Sequence, residues 1–247
     1  MANTSRVSRS MPQPNVDTID ASTRGGRYGE QYVMPLYGPK HALADEGSYF
    51  VATNTTIGSA IATTCTITVF AETAGAVGAV FMMKNSESRT AAAPKRIYFD
   101  YLKLLTAVVV TTGTSLQYAL VLDDNPVRYT SGGSAITPVN PNGDSSTVSI
   151  ATLYFGGITT GVPNNRRTVG RGTLRGVINT VFDTLVIVSG AREGGGSAVS
   201  AAASGRFVDS VPPIIIAPQQ NLVMTLWAAS YATTAAQWEF EMGWWER

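Results

Sequence analysis

The sequence predicts an all-β protein: a jelly-roll-like two-sheet β-sandwich preceded by an extended N-terminal arm. Three observations carry that expectation. Short stretches rich in β-branched and aromatic residues recur from residue 46 onward, separated by Gly, Pro, Asn and Asp. No stretch combines helix caps with a sustained 3.6-residue period. No repeat of 20–50 residues points to a propeller or solenoid. About ten strands in a chain of 247 residues suit one large sandwich better than a seven-strand immunoglobulin type.

The final third organises this expectation. In Val211–Arg247, Ile214–Ala217 is a short apolar run and Pro218, Gln219, Gln220 and Asn221 supply a turn. Leu222, Met224 and Leu226 then alternate with Val223, Thr225 and Trp227. Trp238, Phe240, Met242 and Trp244 alternate with Glu239, Glu241 and Gly243. A period of two sends the four large apolar side chains to one sheet face and both carboxylates to the other. A strand this aromatic must be paired and packed, so it is expected to close the core.

Residues 1–44 read differently from residues 45–247. Ser, Thr, Asn, Arg, Pro and Gly dominate as far as Gly29, after which Tyr32, Val33, Met34, Leu36 and Tyr37 mix with Pro35, Gly38 and Pro39. Such a segment buries too little to offset its ordering entropy. It is expected to be an arm docked on a neighbouring subunit through Tyr28, Tyr32 and Tyr37, whose flat apolar bodies and polar tips suit shallow pockets.

The expected strands then follow in order: Ser48–Thr53, Thr64–Phe70, Ala79–Lys84, Arg96–Val110, Ser115–Asp123, Val148–Phe155, Thr168–Ile178 and Thr184–Ser189. In Arg96–Val110 a period of two puts Ile97, Phe99 and Tyr101 on one face and Tyr98, Asp100, Leu102 and Leu104 on the other. A helix would also give a stripe of Tyr101, Leu102 and Leu105, but the β-branched finish favours a strand. Ser131–Ser146 reads as a long polar loop, and Glu193–Ser204 as a Gly- and Ala-rich one.

Composition narrows the function. Charged residues are 14% of the chain, against about 25% in an average soluble domain. Depletion of charge is typical of buried protein–protein surface. The net charge of +1 creates no field for gathering nucleic acid or anionic lipid. No apolar run approaches the roughly 18 residues of a membrane span, and the first residues lack the apolar core of a signal peptide. The single histidine, His41, and single cysteine, Cys65, leave little for a transition-metal site or a Ser–His–acid triad. Asp123 and Asp124 before Asn125-Pro126 read as turn capping, and no cofactor is expected. A hydrolase using two carboxylates from distant strands remains open.

One constellation suggests a contact. In RRTVGRGTLRG, Arg167, Arg171 and Arg175 fall at even spacing, so a regular strand would align three guanidiniums on one face. They could grip carboxylates or phosphates bidentately, or they could be an ordinary solvated sheet face. The glycines of this run mimic a dinucleotide loop, but the last comes one position late and no βαβ unit surrounds it. Trp245, out of phase with Trp244, points to an exposed face or a subunit interface.

The phrases VPPIIIAPQQNLVMTLWAAS, WEFEMGWWER, EGSYFVATNTTIGSAIA and RYTSGGSAITPVNPNGDSS resemble a family of structural virion proteins of tailed double-stranded-DNA bacteriophages. The resemblance implies a jelly-roll or sandwich homotrimer that decorates the capsid as a cement protein and contacts the major capsid protein. It also implies synthesis in the host bacterial cytoplasm and residence in the virion. A place at the head–tail junction, or a tail-tip adhesin that stacks exposed aromatics on sugars, are the alternatives. Because the ligand inventory is so poor in nitrogen and sulfur donors, dialysis against a chelator is expected to leave the melting temperature unchanged. A large fall would reveal an oxygen-ligated cation, with Asp123, Asn125 and Asp144 the first residues to test.

Overall fold

The computed structural model describes residues 24–25, 31–32, 39–54, 56, 58–63, 70, 76–108, 116–174, 184–190, 206–228 and 236–247. The chain divides into two compact units, Met1–Ala42 and Leu43–Arg247. In the first, β1 (Arg24–Gly25) pairs antiparallel with β2 (Gln31–Tyr32). The division falls inside α1 (Pro39–Asp45), a helix that the sequence reading lacked. Pro39 opens it, where a missing N–H costs nothing. Gly47 closes it at φ 69°, with Ser48 N–H donating to Leu43 O (2.9 Å) and Gly47 N–H to Ala44 O (3.0 Å). That pair of bonds is a Schellman cap.

The second unit is an all-β sandwich of two sheets, as the strand pattern predicts. One sheet has the order β10–β7–β14–β5–β9–β8, with β5 Ala76–Asn85, β7 Leu116–Asp123, β8 Tyr129–Ile136, β9 Ala151–Thr160, β10 Arg167–Leu174 and β14 Asn221–Ala228. The other runs β12–β11–β6–β15–β3, with β3 Tyr49–Thr53, β6 Ile97–Val108, β11 Thr184–Ser189, β12 Arg206–Val211 and β15 Ala236–Glu246. β13 (Ile214–Ile216) continues the line of β11 along β6, and β4 (Ile61–Thr63) continues that of β3 along β15. Every pairing is antiparallel except β11 with β12. The chain changes sheet between β4 and β5, β5 and β6, β6 and β7, β10 and β11, β13 and β14, and β14 and β15.

The alternation read in the last strand holds. Trp238, Phe240, Met242 and Trp244 are all at most 4% exposed and lie in the inter-sheet core. β15 is nonetheless central rather than closing, because β6 flanks it on one side and β3 and β4 on the other. Phe240 of β15 stacks on Phe155 of β9 at 4.2 Å, and Phe81 of β5 meets Phe99 of β6 at 6.5 Å, so aromatic pairs join the two sheets.

Two expectations need correction. Ser131–Ser146 is not all loop: β8 takes its first part as an edge strand. Its residues 130–135 are exposed and carry two register shifts and positive φ at Gly132 and Gly133, so no alternation was there to read. β12 was missed as well, a strand supported by parallel pairing to β11. The predicted strand Thr64–Phe70 lies outside the described residues apart from Phe70, as does the loop Glu193–Ser204.

The six-stranded sheet is covered on its outer face too. Met82, Val121 and Val223 point away from the inter-sheet core, yet each is fully buried. The registers explain the cover. Thr160 and Tyr129 sit beside Ala76, whereas Arg167 aligns through Leu122 and Leu222 with Met83, seven residues further along β5. That is a separation of roughly 20 Å. Residues 124–128 and 161–166 must therefore cross the sheet. They do so as a pair, with Gly161 N–H donating to Arg128 O (2.8 Å) and Asp124 N–H to Asn164 O (3.0 Å).

Arg128 is buried beneath this crossing. Its Nε lies 3.1 Å from Asp123 Oδ2, both side chains are 0% exposed, and its Nη1 donates to Gly161 O. Asn221 Nδ2 donates to Asp123 Oδ1 (3.2 Å) and Asn125 O (2.7 Å), while Asn125 Nδ2 donates to Val162 O (2.6 Å). The capping expected of Asp123 is present, since its Oδ1 accepts Asn125 N–H at 3.0 Å. Replacing Arg128 by Met alone should cost about 3–5 kcal/mol, because it strands a buried carboxylate, whereas Arg128→Met with Asp123→Leu should recover much of that loss. Urea unfolding of the two variants checks this.

Candidate interaction surfaces

Bulges decide what the seven-stranded sheet shows on its outer face. Along β6 and β15, Leu102 aligns with Met242, Tyr101 with Gly243 and Phe99 with Trp244, leaving Asp100 without an opposite residue. The extra residue inverts the alternation. Ile97, Phe99, Leu102 and Leu104 all enter the core, and Tyr98, Tyr101 and Lys103 lie on the other face. The expected grouping of Tyr101 with Ile97 and Phe99 is therefore overturned, since period-two reading has no means of locating a bulge.

The resulting face is aromatic and hydrogen-bonded. Tyr98 and Trp245 are directly opposite across β6 and β15, with ring centroids 5.5 Å apart and planes within 2°. Tyr101 Oη donates to Glu241 Oε1 (2.7 Å), and Lys103 Nζ donates to Glu241 Oε2 (3.1 Å). Tyr49 Oη donates to Asp100 Oδ2 at 2.8 Å. Gly243 makes room for this row: a Cβ there would stand 2.2 Å from Tyr49 Oη and 2.6 Å from Tyr101 Cε1. Trp245, Tyr98, Tyr101 and Glu239 are half-buried. Trp245 lies on the outer face, opposite to Trp244, as its phase predicts. Tyr49, Asp100, Tyr101 and Lys103 were not singled out from sequence, although a glycine between Glu241 and Trp245 on an otherwise bulky strand was the available signal.

The basic strand behaves differently from its expected regular form. Arg167 aligns with Leu122 of β7 and Arg171 with Ala119, with a register shift between Thr168 and Gly170. Leu122 belongs to the inter-sheet core and Ala119 to the opposite face, so the shift puts Arg167 and Arg171 on opposite sides of β10. Both are exposed on an edge strand. A single three-arginine face is thus ruled out by the bulge at Val169, which packs against the core. Arg175, Tyr28 and Tyr37 lie outside the described residues, and Tyr32 is placed only through its backbone alignment with Arg24. Trp245 and the two described arginines belong to different sheets and do not form one site.

The glycines of the same run have a packing role. A Cβ at Gly170 would meet Val211, and one at Gly172 would meet both Asp209 and Tyr118 at 2.6 Å. Beneath Gly172 the fully buried Tyr118 of β7 donates its hydroxyl to Asp209 of β12, tying one sheet to the edge strand of the other. The likeness to a dinucleotide loop arises from this close approach.

Among the described residues, no group of three or more His, Cys, Asp or Glu side chains could hold a metal ion. No helix among them is long and apolar enough to cross a membrane. No protein-family model, no curated protein and no solved structure matches the chain.

Burial first, and the facing carboxylates second, push the hydroxyls of Tyr49, Tyr101 and Tyr118 well above the ordinary tyrosine range. The Tyr101 hydroxyl, then Lys103, holds the Glu241 carboxyl below its ordinary range against a partial desolvation that opposes them. The signs give two limbs. A tyrosine raised on folding contributes stability below about pH 10 that is lost as pH climbs above it; a lowered glutamate contributes stability above about pH 4.3 that is lost in acid. Ultraviolet titration should therefore show Tyr49, Tyr101 and Tyr118 ionising only with unfolding. Changing Tyr101 to Phe should remove one of them and weaken the acid limb due to Glu241.

Proposed function

We propose that the chain is a non-enzymatic structural protein of a bacteriophage virion, a capsid decoration protein that binds the head as a homotrimer through the major capsid protein. The observation that carries this reading is how the acidic groups are used. Asp100, Asp123, Asp209, Glu241 and Glu246 each accept hydrogen bonds or an ion pair from the fold's own tyrosines, arginine, lysine, serine or tryptophan. They act as anchors of sheet faces and loops, while aromatic rings and edge arginines are left at the surface. A chain of 14% charge whose ionisable groups serve its own architecture is suited to being a building block. The likeness of its sequence phrases to virion proteins supports the same reading.

A tail-tip adhesin is the second reading. It is favoured by the parallel, half-buried pair of Tyr98 and Trp245 on the same outer face as Tyr101, Glu241 and Lys103, a combination that suits stacking and hydrogen bonding to a sugar. A head–tail adaptor differs from decoration only in its place on the particle.

Light scattering coupled to size exclusion should give a homotrimer at micromolar concentration, and the protein should co-sediment with purified heads. Deletion of residues 1–44 should leave cooperative unfolding intact and weaken co-sedimentation. A clean monomer that ignores heads but binds a glycan array would replace the first reading with the second.

A further inference from the structure

We propose that Asn142 is a self-modifying site, at which attack by the Gly143 backbone nitrogen converts the carboxamide to aspartate and isoaspartate and so releases the end of α1. Asn142-Gly143 is the only Asn-Gly pair in the sequence. Gly143 is exposed, and a Cβ placed on it would meet nothing within 4 Å, so the space beside its Cα is open. Asp144 N–H donates to Asn142 Oδ1 at 3.0 Å. That bond folds the carboxamide back over the intervening Gly143 amide and polarises the carbonyl that must be attacked.

The step balances without any oxidant or cofactor. A bond forms between Gly143 N and Asn142 Cγ, the Cγ–Nδ2 bond breaks, and the nitrogen departs as ammonia with the proton from Gly143. Water then opens the cyclic imide at either carbonyl. Other asparagines show why this one is singled out. Asn125 and Asn140 precede proline, which has no N–H to attack with. Asn85 is fully buried, and its Nδ2 donates to Lys95 O and Ile216 O, both at 3.0 Å.

The consequence follows from what Asn142 holds. Its Nδ2 donates to Asp45 O at 3.0 Å, next to a second clasp in which Asn140 Nδ2 donates to Gly47 O at 2.8 Å. Conversion replaces that donor with a carboxylate facing a carbonyl oxygen, between the backbones of the acidic residues Asp45 and Asp144. Like charge and lost hydrogen bonding both loosen the Schellman cap of α1. The reaction therefore acts as a slow and irreversible loosening of the end of α1.

The test incubates the folded full chain in mildly alkaline buffer and follows the peptide containing residues 142–143 by mass. It should gain about one mass unit and become a substrate for isoaspartyl methyltransferase labelling. Gly143→Ala, which the open space accommodates, should slow the gain by about tenfold, because a Cβ restricts the backbone that must rotate. Asn142→Gln should abolish it. In the converted protein, and in Asn142→Asp, the Gly47 and Ser48 amides should exchange hydrogen about tenfold faster than in the fresh chain. Absence of a mass gain in the folded chain while the urea-unfolded chain reacts would overturn the site. An equal rate in Gly143→Ala would also overturn it. Conversion without any change in exchange at Gly47 and Ser48 would overturn the release.

Discussion

The architecture depends on the inward face of β15. Trp238, Phe240, Met242 and Trp244 supply a continuous apolar row on an interior strand of one sheet, and Phe240 packs directly on Phe155 of the other. A sandwich stands only if both inner faces exclude water together, and aromatic side chains bury the most area per position. The end of the strand is secured by a carboxylate rather than by more apolar surface. Glu246 accepts from Trp244 Nε1 (3.0 Å), from Ser149 Oγ and from Ile150 N–H, which pins the start of β9 to the strand.

The outer faces of the two sheets meet different requirements. One is buried under paired crossings that carry a buried ion pair, where removal of either charge is costly and the pair itself adds little net stability. It ties the crossings to the sheet at one point, where Asp123 faces Arg128 and accepts from Asn221 while Asn221 also donates to Asn125 O. The other outer face stays accessible and is ordered by tyrosine–carboxylate bonds over Gly243. Rings held in this way lose little freedom when a partner arrives, which suits a recognition surface.

What could be read from the sequence followed from the period of the pattern. Trp238–Trp244 obeys strict alternation, so its strand character and its buried face were legible; Leu222–Trp227 was legible as a strand, but the burial of Val223 and Thr225 on its second face was not. Thr184–Ser189 was legible to the residue. Bulges defeated the rest: a single extra residue at Asp100 or Val169 inverts every downstream side chain, and nothing in local composition marks it. The face of Tyr101 and the grouping of Arg167 with Arg171 were lost for that reason. The helix Pro39–Asp45 is a different case, since a proline at its start and Gly47 at its end were both visible and only its brevity hid them. Arg128 could not have been foreseen, because its burial depends on where two distant connections cross.

The placement of β15 also governs how the protein must fold. The strand with the highest residue numbers lies inside its sheet, and its partner Tyr49–Thr53 lies almost the whole domain away in sequence. Until residues 236–246 insert, β6 on one side and β3 with β4 on the other have raw, unpaired edges and no shared core. Such a topology places the loop-closure cost ahead of most of its reward, which slows folding and leaves apolar edges open to other chains in the meantime. Crowded synthesis of many copies would then favour cross-chain insertion of β15, a domain swap that reproduces every native contact in the wrong molecule.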